Sequence, residues 1–533
     1  MIRLDDLLAR HRAAGPAARV LIGDDGSTVD LDRFQAMIAG TEGWLRDQGL
    51  ERGDRIAVMM LNRPEWLAIL FAAARMGVAV AVVNTRYRTH EVHHIVRSSG
   101  ARMLIVQDDG QKPDFVGMLA ELAGDDLPEL QRIALLCDAE GLARRQGSLC
   151  RPLVAFDPAP AAFAPDTASN PDDPLIFFTT SGTTSLPKLV VHTQRTMSLH
   201  ASGSPETLGF GRLRTTGLLG GLPFCGVFGL NPTLGAIAAG LPVQMMATFD
   251  AGQAVAHVRR EGLSHMLGSD EMYRRMLDLD EGILREMSFC GFGAFTPGLL
   301  PGLTEAARAG APLAGVYGSS EVHAIFAVQR PDMPIDERVK GGGLVASVSG
   351  ARLQIVDPET GEALPHGQAG LLRIRADSNF AGYWNNPEAT AKAVDADGFF
   401  TTGDLAYLRA DGSFVYLARM GDTIRLSGFL TDPGEIEEAL KDIAGLPEVQ
   451  VIGIEIDGQS RAAAFVRHSG PVALDQAAIQ AALRARIASY KVPARIWAID
   501  EFPTIQSANG RKIQKKELRQ WALDRLASEK ASA

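Results

Sequence analysis

The sequence predicts a large N-terminal multi-sheet α/β domain followed by a small C-terminal α+β domain. Three observations carry that expectation. The 533 residues are too many for one ordinary core. Short apolar runs alternate with helical patterns up to about Ala351, as in α/β layers with buried sheets. Beyond Ala351 short strands are separated by Gly, Pro and Asp turns, and beyond Thr423 a smaller mixed pattern begins. The boundary falls at Met420–Asp422, which gives domains 1–420 and 421–533.

Each element has its own signal. Leu31, Phe34, Met37, Ile38 and Leu45 recur at helical spacing, with Asp30 as N-cap and Gly49 near the end. RIAVMM (55–60), VAVAVVN, RMLIVQ and PLIFFTT read as buried strands. The longest apolar stretch, Leu67 to Val83, is interrupted by Arg75 and reads as a buried helix and strand, not a membrane span. Pro158–Pro165 is a surface linker. RLQIVD, GLLRIRA and SFVYLAR are the later strands. EIEEALKDI is a helix, VQVIGIEI a strand and AAIQAALRARI a second helix.

Composition excludes several classes. Apolar residues make up 46% and charged residues 22%, the balance of a soluble globular protein. The formal net charge of −10 disfavours a nucleic-acid or acidic-membrane binder, although an anionic nucleotide can still bind through local donors. Cys137, Cys150, Cys225 and Cys290 form no C-x-x-C pair and suggest neither a disulfide framework nor a zinc site. The N-terminus lacks an apolar signal core and the C-terminal KASA is no peroxisomal signal, so a cytoplasmic enzyme is expected.

Thr179–Lys188, TTSGTTSLPK, lies between the strands LIFF and LVVHT. Its hydroxyls, glycine and lysine would offer backbone N–H groups, O–H donors and an ammonium to a polyphosphate. The Walker A spacing is missing. The competing reading is a Ser/Thr-rich turn.

This loop resembles TSGTTGxPK of the adenylate-forming superfamily of acyl-CoA synthetases, adenylation domains and luciferases, with Ser185 in place of glycine. The resemblance continues in order over some 330 residues of the sequence. Tyr317-Gly318-Ser319-Ser320-Glu321 is similar to YGxTE, which implies Tyr317 against adenine, Ser320 on phosphate and Glu321 on Mg²⁺. Gly293-Ala294 resembles the turn on the other face of the adenine. Gly382-Tyr383-Trp384 through Thr390 resembles a further, structural block. Thr402-Gly403-Asp404 and Arg419 resemble the ribose-binding groups. Tyr490-Lys491-Val492-Pro493 and Asn509-Gly510-Arg511-Lys512-Ile513 resemble the late blocks, the second bearing the catalytic lysine. Gly428, in LSGF, resembles the glycine beside the pantetheine tunnel.

The resemblance implies an ATP-dependent acid–CoA ligase using ATP, Mg²⁺ and coenzyme A. A carboxylic acid becomes an acyl-adenylate, and a C-terminal lid then turns for thioester formation. The expected phosphate cradle is Thr180, Ser181, Gly182, Thr183, Thr184 and Lys188. The expected catalytic residues are Lys512, Thr184 and Glu321. Departures from the family pattern stand at Gly421 in the hinge, at Gly226 where histidine is common, at Ser185, and in the extra residues before Lys512. Gly220, Gly221, Gly226 and Gly315 suggest room for a bulky or long apolar acid, or else serve tight turns. LLGGLPFCGVFGLNP carries no charge. A homodimer is an open option.

Other readings are weaker on the residues. His90-Glu91-Val92-His93-His94 satisfies H-E-x-x-H, but no third ligand motif accompanies it, and a solvated helix is expected. Lys515, Lys516 and Arg519 are expected on a solvated helix face rather than on nucleic acid. A non-catalytic nucleotide sensor would not need Glu321, Asp404, Arg419 and Lys512 together. Transfer to a carrier protein instead of coenzyme A is the alternative within adenylation chemistry.

Overall fold

Contacts divide the chain into two compact units: Met1–Gln354 with Arg373–Thr401 and Arg409–Val415, and Ile355–Leu372 with Thr402–Leu408 and Tyr416–Ala533. The computed structural model describes all residues except 1–2, 109–112, 121, 123–124, 148, 167, 180–187, 212, 297–298, 346–349, 421–423, 427–428, 432, 445, 457–458, 469–474, 485, 488–490, 508–509 and 533.

The first unit holds two eight-stranded sheets. One runs in the order Gly382–Tyr383, Leu189–Thr193, Pro174–Thr179, Ala79–Val82, Arg55–Met59, Met103–Gln107, Arg132–Leu136, Leu153–Ala155. Pairing is parallel from Pro174–Thr179 onward and antiparallel at the first two strands. Arg132–Leu136, Leu153–Ala155 and Gly382–Tyr383 were not among the expected strands. The other five are the predicted apolar runs, and they are buried on both faces, so no hydrophobic alternation shows in them.

The helix Leu31–Asp47 starts where Asp30 accepts the Arg33 N–H at 2.9 Å. It is followed by Gly49 at φ 78°. The apolar stretch from Leu67 is the helix Pro64–Met76, stopped by left-handed Gly77, followed by the strand Ala79–Val82. Arg75 is tolerated there because it pairs with Asp5 (2.7 Å) and Glu42 (2.6 Å). No helix among the described residues is long and apolar enough to cross a membrane.

The second sheet runs His323–Val328, Leu313–Ser319, Phe289–Gly293, His265–Ser269, Leu218–Gly220, Val243–Met245, Arg19–Ile22, Thr28–Asp30. Its six inner strands are parallel and its two edge strands antiparallel. Parallel pairing gathers the carboxyl ends of Phe289–Gly293 and Leu313–Ser319 at one edge, where open α/β sheets bind ligands.

The second unit contains a three-stranded sheet, Val449–Ile456, Gln459–Arg467 and Arg495–Ile499. Alternate residues serve opposite faces. Val449, Val451, Ala462 and Ala464 pack with Ile436 and Leu440 of the helix Pro433–Ala444, and with Ile479 and Leu483 of Gln476–Arg484. Ile452, Ile454, Ala463 and Phe465 pack with Leu518 and Ala522 of Lys515–Ser532. The helices and the VQVIGIEI strand match the sequence reading. Lys515 departs from it: its Nζ lies 3.9 Å from the buried Glu437 carboxylate instead of facing solvent, while Lys516 is exposed as expected.

The H-E-x-x-H segment lies on the helix Thr89–Ser99. Glu91 is used locally, accepting the Arg88 N–H at 2.9 Å. His94 contacts Ser98 at 3.4 Å, and His90 is exposed.

Candidate active site

The nucleotide half of the site begins at a hairpin. The strand Leu313–Ser319 turns through Ser320, Glu321 and Val322 into His323–Val328. Glu321 is fixed at three points. Its N–H donates to Ser319 Oγ (3.2 Å), and its carbonyl accepts from the Phe380 N–H (2.8 Å). Its carboxylate accepts the Tyr383 O–H at 2.9 Å.

Tyr383 reaches Glu321 because its segment is stitched along a strand of the other sheet. Gly382 and Tyr383 pair antiparallel with Val191 and Val190, and Trp384 N–H donates to the Leu189 carbonyl at 2.9 Å. Lys188 immediately precedes that strand. Its Nζ lies 4.9 Å from the centre of the Tyr383 ring. One tyrosine therefore touches both the candidate phosphate lysine and the candidate metal carboxylate. The Gly382-Tyr383-Trp384 block, expected to be structural, thus carries a residue in contact with both candidates.

On either side of the candidate phosphate loop, Thr179 pairs with Leu189. Thr179 Oγ1 lies 3.0 Å from the Tyr87 hydroxyl, a contact the motif did not reveal. Thr180, Ser181, Gly182, Thr183, Thr184 and Ser185 lie outside the described residues, as do Gly421, Gly428, Tyr490 and Asn509.

Tyr317 is buried and meets Phe414 edge to face at 5.1 Å. Gly318 is irreplaceable on geometry, because a Cβ there would lie 2.1 Å from the His323 carbonyl oxygen. Gly293 ends its strand, and the Phe295 ring folds back over it. The loop containing Ala294 is pinned beyond that point by Asp270, whose carboxylate accepts the Phe295 and Thr296 N–H groups at 2.9 and 2.7 Å. Burial raises the Asp270 pKa, and those backbone donors partly oppose the rise.

The glycines near the expected acid pocket divide in two. At Gly315 a Cβ would sit 1.9 Å from the Lys340 carbonyl oxygen. At Gly220 it would sit 3.1 Å from Val243 Cγ1. Main-chain and side-chain packing consumes both spaces, so these two do not enlarge a pocket. At Gly226, the N-cap of the helix Val227–Ala238, the nearest atom is 3.8 Å away and space remains.

In the second unit, Asp404 Oδ1 pairs with Arg419 Nη1 at 2.9 Å. The carboxylate is buried and the guanidinium half exposed. Gly403, beside Asp404 in the strand Phe400–Leu408, has a left-handed φ of 75°, and its carbonyl accepts the Met420 N–H at 2.7 Å. Lys512 lies on the strand Gly510–Ile513, opposite Ile505 of Thr504–Ser507. The helix bearing Lys515 and Lys516 starts after it.

A model of the AMP-binding enzyme family matches residues 8–384, and a model of the AMP-binding enzyme C-terminal domain matches 435–510. The chain is 28% identical to 2-succinylbenzoate–CoA ligase of Geobacillus kaustophilus, with 96% of each chain covered. It is 27% identical to 3-hydroxybenzoate–CoA ligase of an Aromatoleum species, covering 97% of this chain and 96% of that one. The fold is that of ATP-bound MatB from Rhodopseudomonas palustris, with a TM-score of 0.80, 24% identity, and 97% and 98% of the two chains covered. The chain belongs to the AMP-binding enzyme family, within the adenylate-forming acyl-CoA ligase superfamily.

Proposed function

We propose that this AMP-forming acyl-CoA synthetase activates an apolar carboxylic acid as its acyl-adenylate and transfers the acyl group to coenzyme A. The observation that carries the reading is the convergence of Lys188, Tyr383 and Glu321 beside the Thr179–Leu189 loop. An ammonium and a carboxylate in contact with one tyrosine suit a polyphosphate and its cation, which supports the reading.

The residues fit Mg²⁺. No group of three or more His, Cys, Asp or Glu occurs among the described residues. Mg²⁺ needs none, because it keeps waters and takes phosphate oxygens together with one or two carboxylates. Glu321 would hold it, and bound Mg²⁺ would neutralise phosphate charge.

Lys188 and the hydroxyls of the loop would orient the phosphates. A carboxylate oxygen of the acid attacks the α-phosphorus, the bond to the bridging oxygen breaks, and pyrophosphate leaves. Lys512 would offset the charge as the two anions close. Asp404 and Arg419 would hold the ribose. The thiolate of coenzyme A then attacks the acyl carbon and AMP leaves. The chemistry is positioning and charge stabilisation, with no covalent enzyme intermediate. Residues 421–533 would act as the moving lid between the two steps.

The uncharged segment Leu218–Pro232 supports an apolar acid, as does the space at Gly226. The relatives named above act on substituted benzoates, which puts aromatic acids first among candidates. A panel of benzoates, cinnamates, medium-chain fatty acids and short diacids, scored by CoA-dependent AMP release, tests this. Preference for a short diacid removes the apolar assignment. Adenylate formation with no CoA-dependent turnover redirects the acceptor to a carrier protein.

A further inference from the structure

Behind the Ser320–Glu321 turn lies a stack of three imidazoles that the reaction outlined above does not use. His192, His323 and His200 are all fully buried. The His192 and His323 ring centres are 4.2 Å apart, and those of His323 and His200 are 4.3 Å apart with planes within 14°. They come from the strand Leu189–Thr193, the strand His323–Val328 and the helix Gln194–Thr207. Thr193 caps that helix by accepting the Thr196 N–H at 3.2 Å. Thr196 and His200 then lie one turn apart on one face.

The stack is bonded to the turn. His192 Nε2 lies 2.7 Å from the Ser320 carbonyl oxygen. A carbonyl only accepts, so Nε2 must carry the proton. Its Nδ1 faces Thr196 Oγ1 at 3.2 Å. His323 closes the hairpin with φ 72°, a left-handed conformation that costs a residue with a Cβ. Its ring lies between the other two imidazoles, with Nδ1 3.3 Å from Asn231 Nδ2. Asn231 Oδ1 accepts the next N–H, that of Ala324, at 3.0 Å. The turn is thus gripped at Ser320, at His323 and at Ala324 by buried groups.

We propose that His192 is a positioning residue for the nucleotide site: its Nε2–H fixes the Ser320 carbonyl, and the His323–His200 stack fixes His192. Through that bond the imidazole sets where the Ser320 hydroxyl and the Glu321 carboxylate stand before ATP arrives. The assignment rests on the reading of Glu321 as the residue that holds Mg²⁺. It is a claim about rigidity rather than proton transfer, since burial holds His192 neutral, with its pKa pushed down to about 4.

The test compares His192→Leu, which keeps bulk and loses the donor, with His192→Gln, whose amide can still donate. His265→Leu is the control. His265, on the strand His265–Ser269 outside the turn, is equally buried and likewise contacts a carbonyl, that of Leu208 at 3.1 Å. Calorimetric binding of ATP with and without Mg²⁺, the Mg²⁺ concentration for half-maximal turnover, and thermal midpoints are measured on the full chain. The proposal expects His192→Leu to weaken Mg²⁺-dependent ATP binding about tenfold and to raise the Mg²⁺ requirement. His192→Gln should recover most of both, and His265→Leu should stay within about twofold of the parent despite a comparable fall in thermal midpoint. Parent-like binding by His192→Leu overturns it, and so do equal shifts in His192→Leu and His265→Leu. Should His192→Leu fail to fold, His192→Gln decides: near-parent binding supports the proposal and a tenfold loss overturns it. Glu321→Gln separates the two levels. If it leaves the Mg²⁺ requirement unchanged, the reading of Glu321 fails and this inference with it. If it shifts the requirement while His192→Leu does not, only the positioning role fails.

Discussion

Tyr383 donates its phenolic O–H to the Glu321 carboxylate at 2.9 Å, across 62 residues of sequence. The bond aims one carboxylate oxygen and leaves Tyr383's ring against Lys188. Hydrogen bonds to charged groups contribute about 1.5–3 kcal/mol, or roughly ten- to hundredfold in an equilibrium. Tyr383→Phe should therefore lower kcat/KM for ATP by about tenfold or more and raise the Mg²⁺ requirement, with little change in thermal midpoint. Parent-like magnesium titration of the variant would detach Tyr383 from the site.

That contact also marks the limit of what the sequence discloses. The family blocks at Thr179–Lys188, Tyr317–Glu321 and Thr402–Asp404 can be read as candidates because each is a short run with a recognisable order. Asp30 was legible as a cap because capping is local. Tyr383 on Glu321, Tyr87 on Thr179 and the stack of His192, His200 and His323 were not. Each joins residues distant in sequence, and their types carry no spacing signal. Gly315 stayed open between room and tight packing for a related reason: a glycine in a sequence does not say whether its empty side is lined by a ligand or, as here, by the Lys340 carbonyl.

Gly315 and Gly226 should separate fold from specificity. Gly315→Ala forces a Cβ into main chain 1.9 Å away, and overpacking of this kind costs about 1–3 kcal/mol or more. A large fall in thermal midpoint or loss of soluble protein is expected. Gly226→Ala meets nothing closer than 3.8 Å. It should fold normally and shift preference among acids, toward the smaller members of a series. Denaturant midpoints and a substrate panel check both. A stable Gly315→Ala protein would contradict the packing seen here.

Acid stability should follow the buried histidines. Burial pushes His11, His192 and His265 down to about 4 and His200 to about 3. The unfolded chain protonates these groups near their ordinary 6.5, whereas the folded chain resists. Stability is thus full above about pH 6.5 and falls as the pH drops toward 4, because the unfolded state binds more protons in that window. Urea midpoints measured from pH 8 to pH 4.5 should decline below about 6.5, and His200→Phe should flatten the decline. A flat profile in the parent would show that the rings do titrate in place.

Lys512 should act in one half-reaction. Losing one preorganised cation at the reacting phosphate costs about 10²–10³ in rate. Lys512→Ala should nearly abolish adenylate formation from acid and ATP while sparing thioester formation from supplied acyl-adenylate and coenzyme A. Lys516→Ala should spare both. Lys515→Ala removes the partner of Glu437 and should lower stability more than activity. Normal adenylate formation by Lys512→Ala together with its loss in Lys515→Ala would move the catalytic role to Lys515.

The most direct measurement is product stoichiometry with ATP, Mg²⁺, an aromatic or medium-chain acid and coenzyme A. AMP, pyrophosphate and acyl-CoA should appear in equal amounts, and AMP release should depend on both acid and coenzyme A. ADP and phosphate as products, or AMP release indifferent to coenzyme A across the acid panel, would contradict an AMP-forming acid–CoA ligase.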